Sequence, residues 1–195
     1  IPIILSGSFG ELRNNHFHSG LDIKTQGIEG LEVLAAAEGY ISRIKVSQFG
    51  YGKSIYITHP NGFTSVYAHL SKFAPKIEAY LKSIQYQKEC YEIEETRLKE
   101  DSFPIKKGEL IAFSGDTGGS GGPHLHFEIR DTESEKIINP LLFGIAINDS
   151  IPPIFQSVKV FALNNNSHIN HQNNSFQLSV KKIANNNYIT DKIMA

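Results

Sequence analysis

The stretch Gly121–Asp131, GGPHLHFEIRD, places two histidines one residue apart behind a run of glycines and a proline. Its apolar residues alternate, which predicts a strand. In extended chain, side chains two apart point the same way. Leu125, Phe127 and Ile129 would then pack inward, leaving His124, His126 and Glu128 together on the other face. Two imidazoles at that spacing can reach one metal ion, or divide the roles of ligand and base. Glu128 is read as an exposed strand residue, with orientation of a histidine ring as its other possible use.

A second cluster lies upstream in NNHFHSGLDIKT (residues 14–25). His18 and Asp22 are four apart, and Gly20 between them permits a bend that lets imidazole and carboxylate converge. Neither this pair nor HxH carries much weight alone. His18, Asp22 and one histidine of the HxH pair would form a two-histidine, one-carboxylate set. Such a set leaves a fourth tetrahedral position for water, as catalytic zinc requires. Closed structural zinc sites usually use several cysteines, and this chain has one, Cys90. That cysteine is read as a packing residue, and it excludes an internal disulfide. A cytosolic protein or a disulfide-free periplasmic one both fit.

The surrounding chain reads mainly as short strands. Residues 53–70, KSIYITHPNGFTSVYAHL, predict a hairpin, with Asn61-Gly62 supplying the tight turn. Strict alternation would place Ser65, Tyr67 and His69 on one face of the return strand. His59 reads as a turn residue. Residues 74–89 change character: Ile77, Tyr80, Leu81 and Ile84 recur at helical spacing after Pro75, which suits a first turn. Residues 90–98 return to extended structure. GDTGGSGG (115–122) is a flexible loop without the Lys-Ser/Thr ending of a phosphate-binding loop. Pro152-Pro153 marks a boundary, after which two strands flank an asparagine-rich stretch holding the solvated His168 and His171. We therefore expect residues 1–148 as one mainly β domain with a helical insertion at 74–103. Residues 149–195 would begin a second β domain, for which an immunoglobulin-like sandwich is a candidate.

Composition sets broad limits. The 195 residues are 40% hydrophobic and 20% charged, with a formal net charge of −1. No basic surplus points to nucleic acid. No apolar run approaches the roughly 20 residues of a membrane span. The opening IPIIL is too short for a signal-peptide core.

HSGLD, VLAAAEGYI, GYGKSIYITHPNGFTSVYAHL and IKKGELIAFSGDTGGSGGPHLHFEIR follow one another in order. This combination resembles the lysostaphin/LytM-type zinc metallopeptidases, which cut peptide bonds in bacterial peptidoglycan, over roughly residues 9 to 144. The resemblance implies a small antiparallel β-sheet domain, of barrel-sandwich type, with an open groove walled by loops. It implies one zinc ion per chain held by His18, Asp22 and His126, with His69 and His124 catalytic beside the bound water. We expect His124 to take the water's proton, zinc and a protonated His69 to stabilise the oxyanion, and His124 or His69 to deliver a proton to the leaving amine. Tyr51, Gly118 and Ser120 would belong to the groove wall. Stem peptides of peptidoglycan are the implied partner, and the periplasm of a Gram-negative bacterium the implied location, with the export signal outside this chain.

Two departures stand out. His16 occupies a position where many members carry arginine, so a register using His16 as a ligand is an alternative. The 74–103 insertion replaces a short connection and could cover the groove; it or the C-terminal domain could dock an envelope protein. The rival reading is a catalytically silent module that binds the wall or activates other wall hydrolases. A carrier-type β domain, suggested by EVLAAAEGYISRI, has no use for HxxxD.

Overall fold

The computed structural model describes residues 3–96, 98–147, 154–184 and 187–190. The chain forms two compact units, Ile1–Asn148 and Asp149–Ala195. The first contains β1 (Leu5–Gly7), β2 (Leu21–Lys24), β3 (Glu32–Leu34), β4 (Gly39–Val46), β5 (Lys53–Thr58), β6 (Phe63–Ala68) and β7 (Leu70–Phe73). Helix α1 (Pro75–Lys88) follows, then β8 (Ile93–Thr96), β9 (Pro104–Ile105), β10 (Leu110–Ser114), β11 (His124–Asp131) and β12 (Ile137–Ile138). Among the described residues the protein is mainly β, antiparallel throughout its sheets, with one α-helix.

The principal sheet runs β1-β2-β11-β6-β5-β4-β8, with β9 and β12 added at its margins. A smaller sheet runs β3-β10-β7. The predicted alternation in β11 is realised. Phe127 and Ile129 lie in the hydrophobic cluster with Ile44, Ile55, Ile57 and Tyr67 of the principal sheet and Val33, Phe73 and Ile111 of the small one. The core is therefore the filling between the two sheets, and His124, His126, Glu128 and Arg130 are on the other face of β11.

The β5–β6 hairpin turns at Asn61-Gly62, where Gly62 takes the left-handed conformation (φ 84°) that this dipeptide favours. The return strand differs from the expectation. It ends at Ala68, and the next residue, His69, has φ 57°. Here the chain leaves the principal sheet for the small one, since β7 pairs with β10. A continuous strand would have put His69 on the side of Tyr67, in the core. The left-handed residue breaks the alternation and turns the imidazole to the face that carries His126.

Helix α1 forms where the 3.6-residue pattern predicts it. Ile77, Leu81 and Ile84 are buried in the core cluster, and Tyr80 packs edge-to-face on Phe103. Pro75 begins the helix, and Glu78 reaches back to accept from the Phe73 N–H. Glu89, left-handed at φ 49°, ends it. The rest of the insertion continues the principal sheet through β8, paired with β4. Cys90 is exposed rather than packed, because it follows the helix end on the solvent side. The end of the expected 90–98 strand includes residue 97, outside the described residues.

The second unit holds β13 (Ser157–Val160), β14 (Phe176–Ala184) and β15 (Asn187–Thr190) in one antiparallel sheet. Leu178 and Ile169 are buried within it, while His168 and His171 are exposed.

Candidate metal centre

The register of β2 on β11 pairs Asp22 with His126 directly. His18 precedes β2 in a loop strapped by His18 N–H to Glu11 O and Gly10 N–H to His18 O. Gly20 makes the approach possible, though not as a hinge: it is absent from the left-handed glycines. A Cβ there would collide with the Phe127 carbonyl oxygen and the Glu128 side chain. Close packing of the HxxxD segment on β11, rather than a bend, requires glycine.

His18, Asp22 and His126 are all buried, and their donor atoms lie within 4.8 Å of one another. His18 Nε2 is 3.0 Å from Asp22 Oδ1 and 3.1 Å from His126 Nδ1, which is 2.9 Å from the same carboxylate oxygen. The outer nitrogens set the tautomers. His18 Nδ1 is 2.9 Å from the Ser8 carbonyl, which only accepts, so Nδ1 carries the proton. His126 Nε2 is 2.8 Å from Glu128 Oε1 and donates to it. Both inward nitrogens then present lone pairs, beside a carboxylate oxygen. Three such donors facing one point repel one another unless a cation or proton lies between them. A divalent cation with nitrogen and oxygen preference fits this set.

His124 and His69 lie alongside. His124 Nδ1 is anchored on the Gly122 carbonyl at 2.8 Å, with Nε2 3.4 Å from Asp22 Oδ1. His69 Nδ1 is anchored on the Thr117 carbonyl at 2.8 Å. Hydrogen bonding with Asp22 raises the pKa of His124. Burial pushes His69 down to about 4, so it is neutral at pH 7. The neutral form is thereby favoured over the protonated His69 expected from the sequence. Burial pushes Asp22 up, but the surrounding imidazoles of His124, His126 and His18 outweigh it and hold the carboxyl far below the usual range.

Glu128 corrects the sequence reading: it is fully buried, not an exposed strand residue. Burial opposes its charge, yet hydrogen bonding to His126 and the charge of Arg130 bring its pKa down to about 2. Its Oε1 also accepts from Ser19 and from the Tyr51 hydroxyl, and its Oε2 from Arg130 at 2.7 Å. Tyr51 stacks on the His126 ring, centroids 5.3 Å apart. On the other flank Arg13 donates to Asp22 Oδ2 at 2.8 Å, so Oδ1 remains for the histidines. Ser19, Arg13 and Arg130 were not singled out beforehand. Arg130 was the most accessible of them, because the alternation HxHxExR continues to it.

An open cleft of about 760 Å³ surrounds these residues. One wall is the Leu12–Phe17 segment; the other includes Tyr51, Gly119, Ser120 and Gly121. Gly118 is set back from the cleft and packs against Gly50 and Gly52, where any side chain would clash. His16 is exposed, paired with Asn15, and stands apart from the donor cluster. Among the described residues, none of the 74–103 insertion lines the cleft.

The model of peptidase family M23 matches residues 16–86 and 82–140. The chain belongs to peptidase family M23. It is 35% identical over 113 residues to the DD-carboxypeptidase/endopeptidase Mpg of Neisseria meningitidis, covering 58% of this chain and 20% of that protein. It is 30% identical over 126 residues to the murein hydrolase activator NlpD of Escherichia coli, covering 65% and 26%. The chain thus spans about a fifth to a quarter of these M23 relatives. The fold is shared with the catalytic domain of the prophage-encoded M23 protein EnpA of Enterococcus faecalis (TM-score 0.53, 20% identity, 73% and 92% coverage). The catalytic domain of lysostaphin from Staphylococcus simulans is similar as well (TM-score 0.50, 24% identity, 72% and 88% coverage).

Proposed function

We propose that this M23 chain is a zinc-dependent endopeptidase of the bacterial envelope that hydrolyses peptide cross-links of peptidoglycan. The observation that carries the reading is the convergence of three metal-ligating atoms in an open cleft, with two anchored histidines beside them. His18 Nε2, Asp22 Oδ1 and His126 Nδ1 would hold the ion. Bound zinc would supply Lewis acidity at neutral pH, bringing a water's pKa to about 7 and polarising a carbonyl.

The chain's own residues do the rest. Neutral His69 offers Nε2 as proton acceptor, its other nitrogen held by Thr117. His124, whose affinity for a proton is raised, would return one to the departing amine. Glu128 and Arg13 hold His126 and Asp22 in place. Tyr51 and Ser120 in the cleft wall would orient an extended peptide. The Mpg relative supports a wall peptide as substrate and a Gram-negative periplasm as the location.

The second reading is a non-hydrolytic module that activates other wall hydrolases, favoured by the similarity to NlpD and to the cell division protein DipM of Caulobacter vibrioides. Under it the second unit or the 74–103 insertion would dock an envelope protein. Mass spectrometry of fragments released from purified muropeptides by zinc-loaded protein separates the two. New peptide termini are expected; intact muropeptides together with full zinc occupancy would favour the activator.

A further inference from the structure

A second cavity, about 470 Å³, opens on the same face of the principal sheet as the histidines. Cross-strand register sets its position. Arg43, Tyr56, Val66 and Glu128 form one row, and Tyr40, Thr58, Thr64 and Arg130 the next. Partners in such rows point to one side. Arg130 is four residues along β11 from His126, about 13 Å at roughly 3.3 Å per residue. Its Nη2 also donates to the Tyr51 hydroxyl at 3.2 Å, and Tyr51 lines the histidine cleft. The two depressions are therefore joined through these side chains.

The guanidiniums of Arg43 and Arg130 both lie over Tyr56, 4.7 and 5.6 Å from the ring centroid. Both also face one carboxylate. Glu135 accepts from Arg43 Nη2 at 2.7 Å and stands 3.5 Å from Arg130 Nη1. Glu135 comes from the turn after β11, is half exposed, and has φ 53°, an unfavourable conformation for a residue with a side chain. The other carboxylates are committed elsewhere. Glu128 is fully buried on Arg130 and His126, and Asp131 Oδ1 accepts from the N–H and hydroxyl of Ser134 in its own turn. An exposed ion pair adds little net stability, whereas breaking a buried one is costly. Glu135 is thus the carboxylate that can leave.

We propose that this cavity is a carboxylate subsite occupied by the chain's own Glu135, which a free carboxylate of the peptide substrate displaces. The inference rests on the reading of the protein as a wall-peptide hydrolase. It makes Arg43, three strands across the sheet from β11, a specificity residue remote from the bond being cut. Arg130 is the shared wall between the subsite and the metal-ligand network.

The test is titration of the zinc-loaded full chain with N-acetyl-D-alanine and, separately, N-acetyl-D-alaninamide, followed by NMR shifts of residues around Arg43. Wild type is expected to bind the acid weakly and the amide not at all. Glu135→Gln should bind the acid about tenfold more tightly, because the competing carboxylate is gone, while Arg43→Gln should lose it. Arg43→Lys keeps the charge but not the fork and is expected to fall between. In hydrolysis, Glu135→Gln should lower KM for carboxylate-bearing muropeptides without changing kcat. Equal binding of acid and amide, or indifference of acid binding to both variants, would overturn the subsite. If the binding pattern holds and no wall peptide is cut, the proposed hydrolase fails while the subsite stands.

Discussion

His69 and His124 face each other with ring centroids 4.7 Å apart, and each holds its Nδ1 on a carbonyl of the same glycine-rich loop, Thr117 for one and Gly122 for the other. One loop therefore holds the Nδ1 of both imidazoles, and turns the Nε2 of His124 toward Asp22 Oδ1, 3.4 Å away. Replacing either histidine by alanine removes a proton-transfer group and leaves the three convergent donors in place, although His124 also approaches Asp22 Oδ1 at 3.4 Å. His69→Ala and His124→Ala are each expected to keep bound zinc and lose about 10²–10⁴-fold in hydrolysis rate. Metal analysis and a muropeptide assay on the same preparations check this; loss of zinc in both variants would contradict it.

The donor cluster itself should behave as a unit. His18→Ala, Asp22→Ala and His126→Ala each remove one of three convergent donors. Zinc and hydrolysis are expected to disappear together in all three. A variant retaining full activity with no measurable zinc would refute the metal assignment.

Glu128 should reveal its burial. It is fully enclosed and joined to His126, Ser19, Tyr51 and Arg130. Glu128→Ala removes the buried partner of Arg130, leaving it the half-exposed Glu135, and is expected to cost about 3 kcal/mol in urea unfolding. Glu128→Gln keeps the shape and acts mainly on His126. It should weaken zinc binding by about 10–100-fold. Competition with a zinc chelator measures the second effect.

The depressed pKa of His69 gives a pH signature. Its folded value of about 4 lies below an unfolded value near 6.5, so the unfolded chain binds the proton first. Its contribution favours folding above pH 6.5 and is lost as pH falls from about 6.5 to 4. In chelator-treated protein, wild type should lose stability relative to His69→Gln across that window. Parallel urea midpoints for the two from pH 7.5 to 4.5 would exclude the buried, neutral imidazole.

The Gly20 contact predicts a local steric fault. Gly20→Ala introduces a Cβ against the Phe127 carbonyl and Glu128. An expected cost of about 1–3 kcal/mol should come with weakened zinc binding, because the His18–Asp22 segment is pushed off β11. Unchanged zinc affinity would show that the loop relaxes freely.

Much of this architecture was legible locally. The alternation of GGPHLHFEIRD, the Asn61-Gly62 turn and the 3.6-residue spacing of Ile77, Leu81 and Ile84 each report a backbone geometry from neighbouring residues alone. The ordered motifs around His18, Asp22, His69, His124 and His126 likewise pointed to the residues that meet in the cleft. The burial of Glu128 was not legible, because it depends on Tyr51 and Ser19, 77 and 109 residues away in the chain. The withdrawal of Gly118 behind the cleft wall likewise depends on Gly50 and Gly52.

The amino-acid sequence by itself determined which segments are strands, where the helix lies and which side chains can donate to a cation, because periodicity and side-chain chemistry are local properties. Tertiary structure alone decided which face His69 serves, since the chain changes sheets there and only a left-handed residue at that junction turns the imidazole out of the core. Tertiary structure also decided that two arginines 87 positions apart meet over Tyr56, because cross-strand register, a relation between distant segments, brings β4, β5 and β11 side by side.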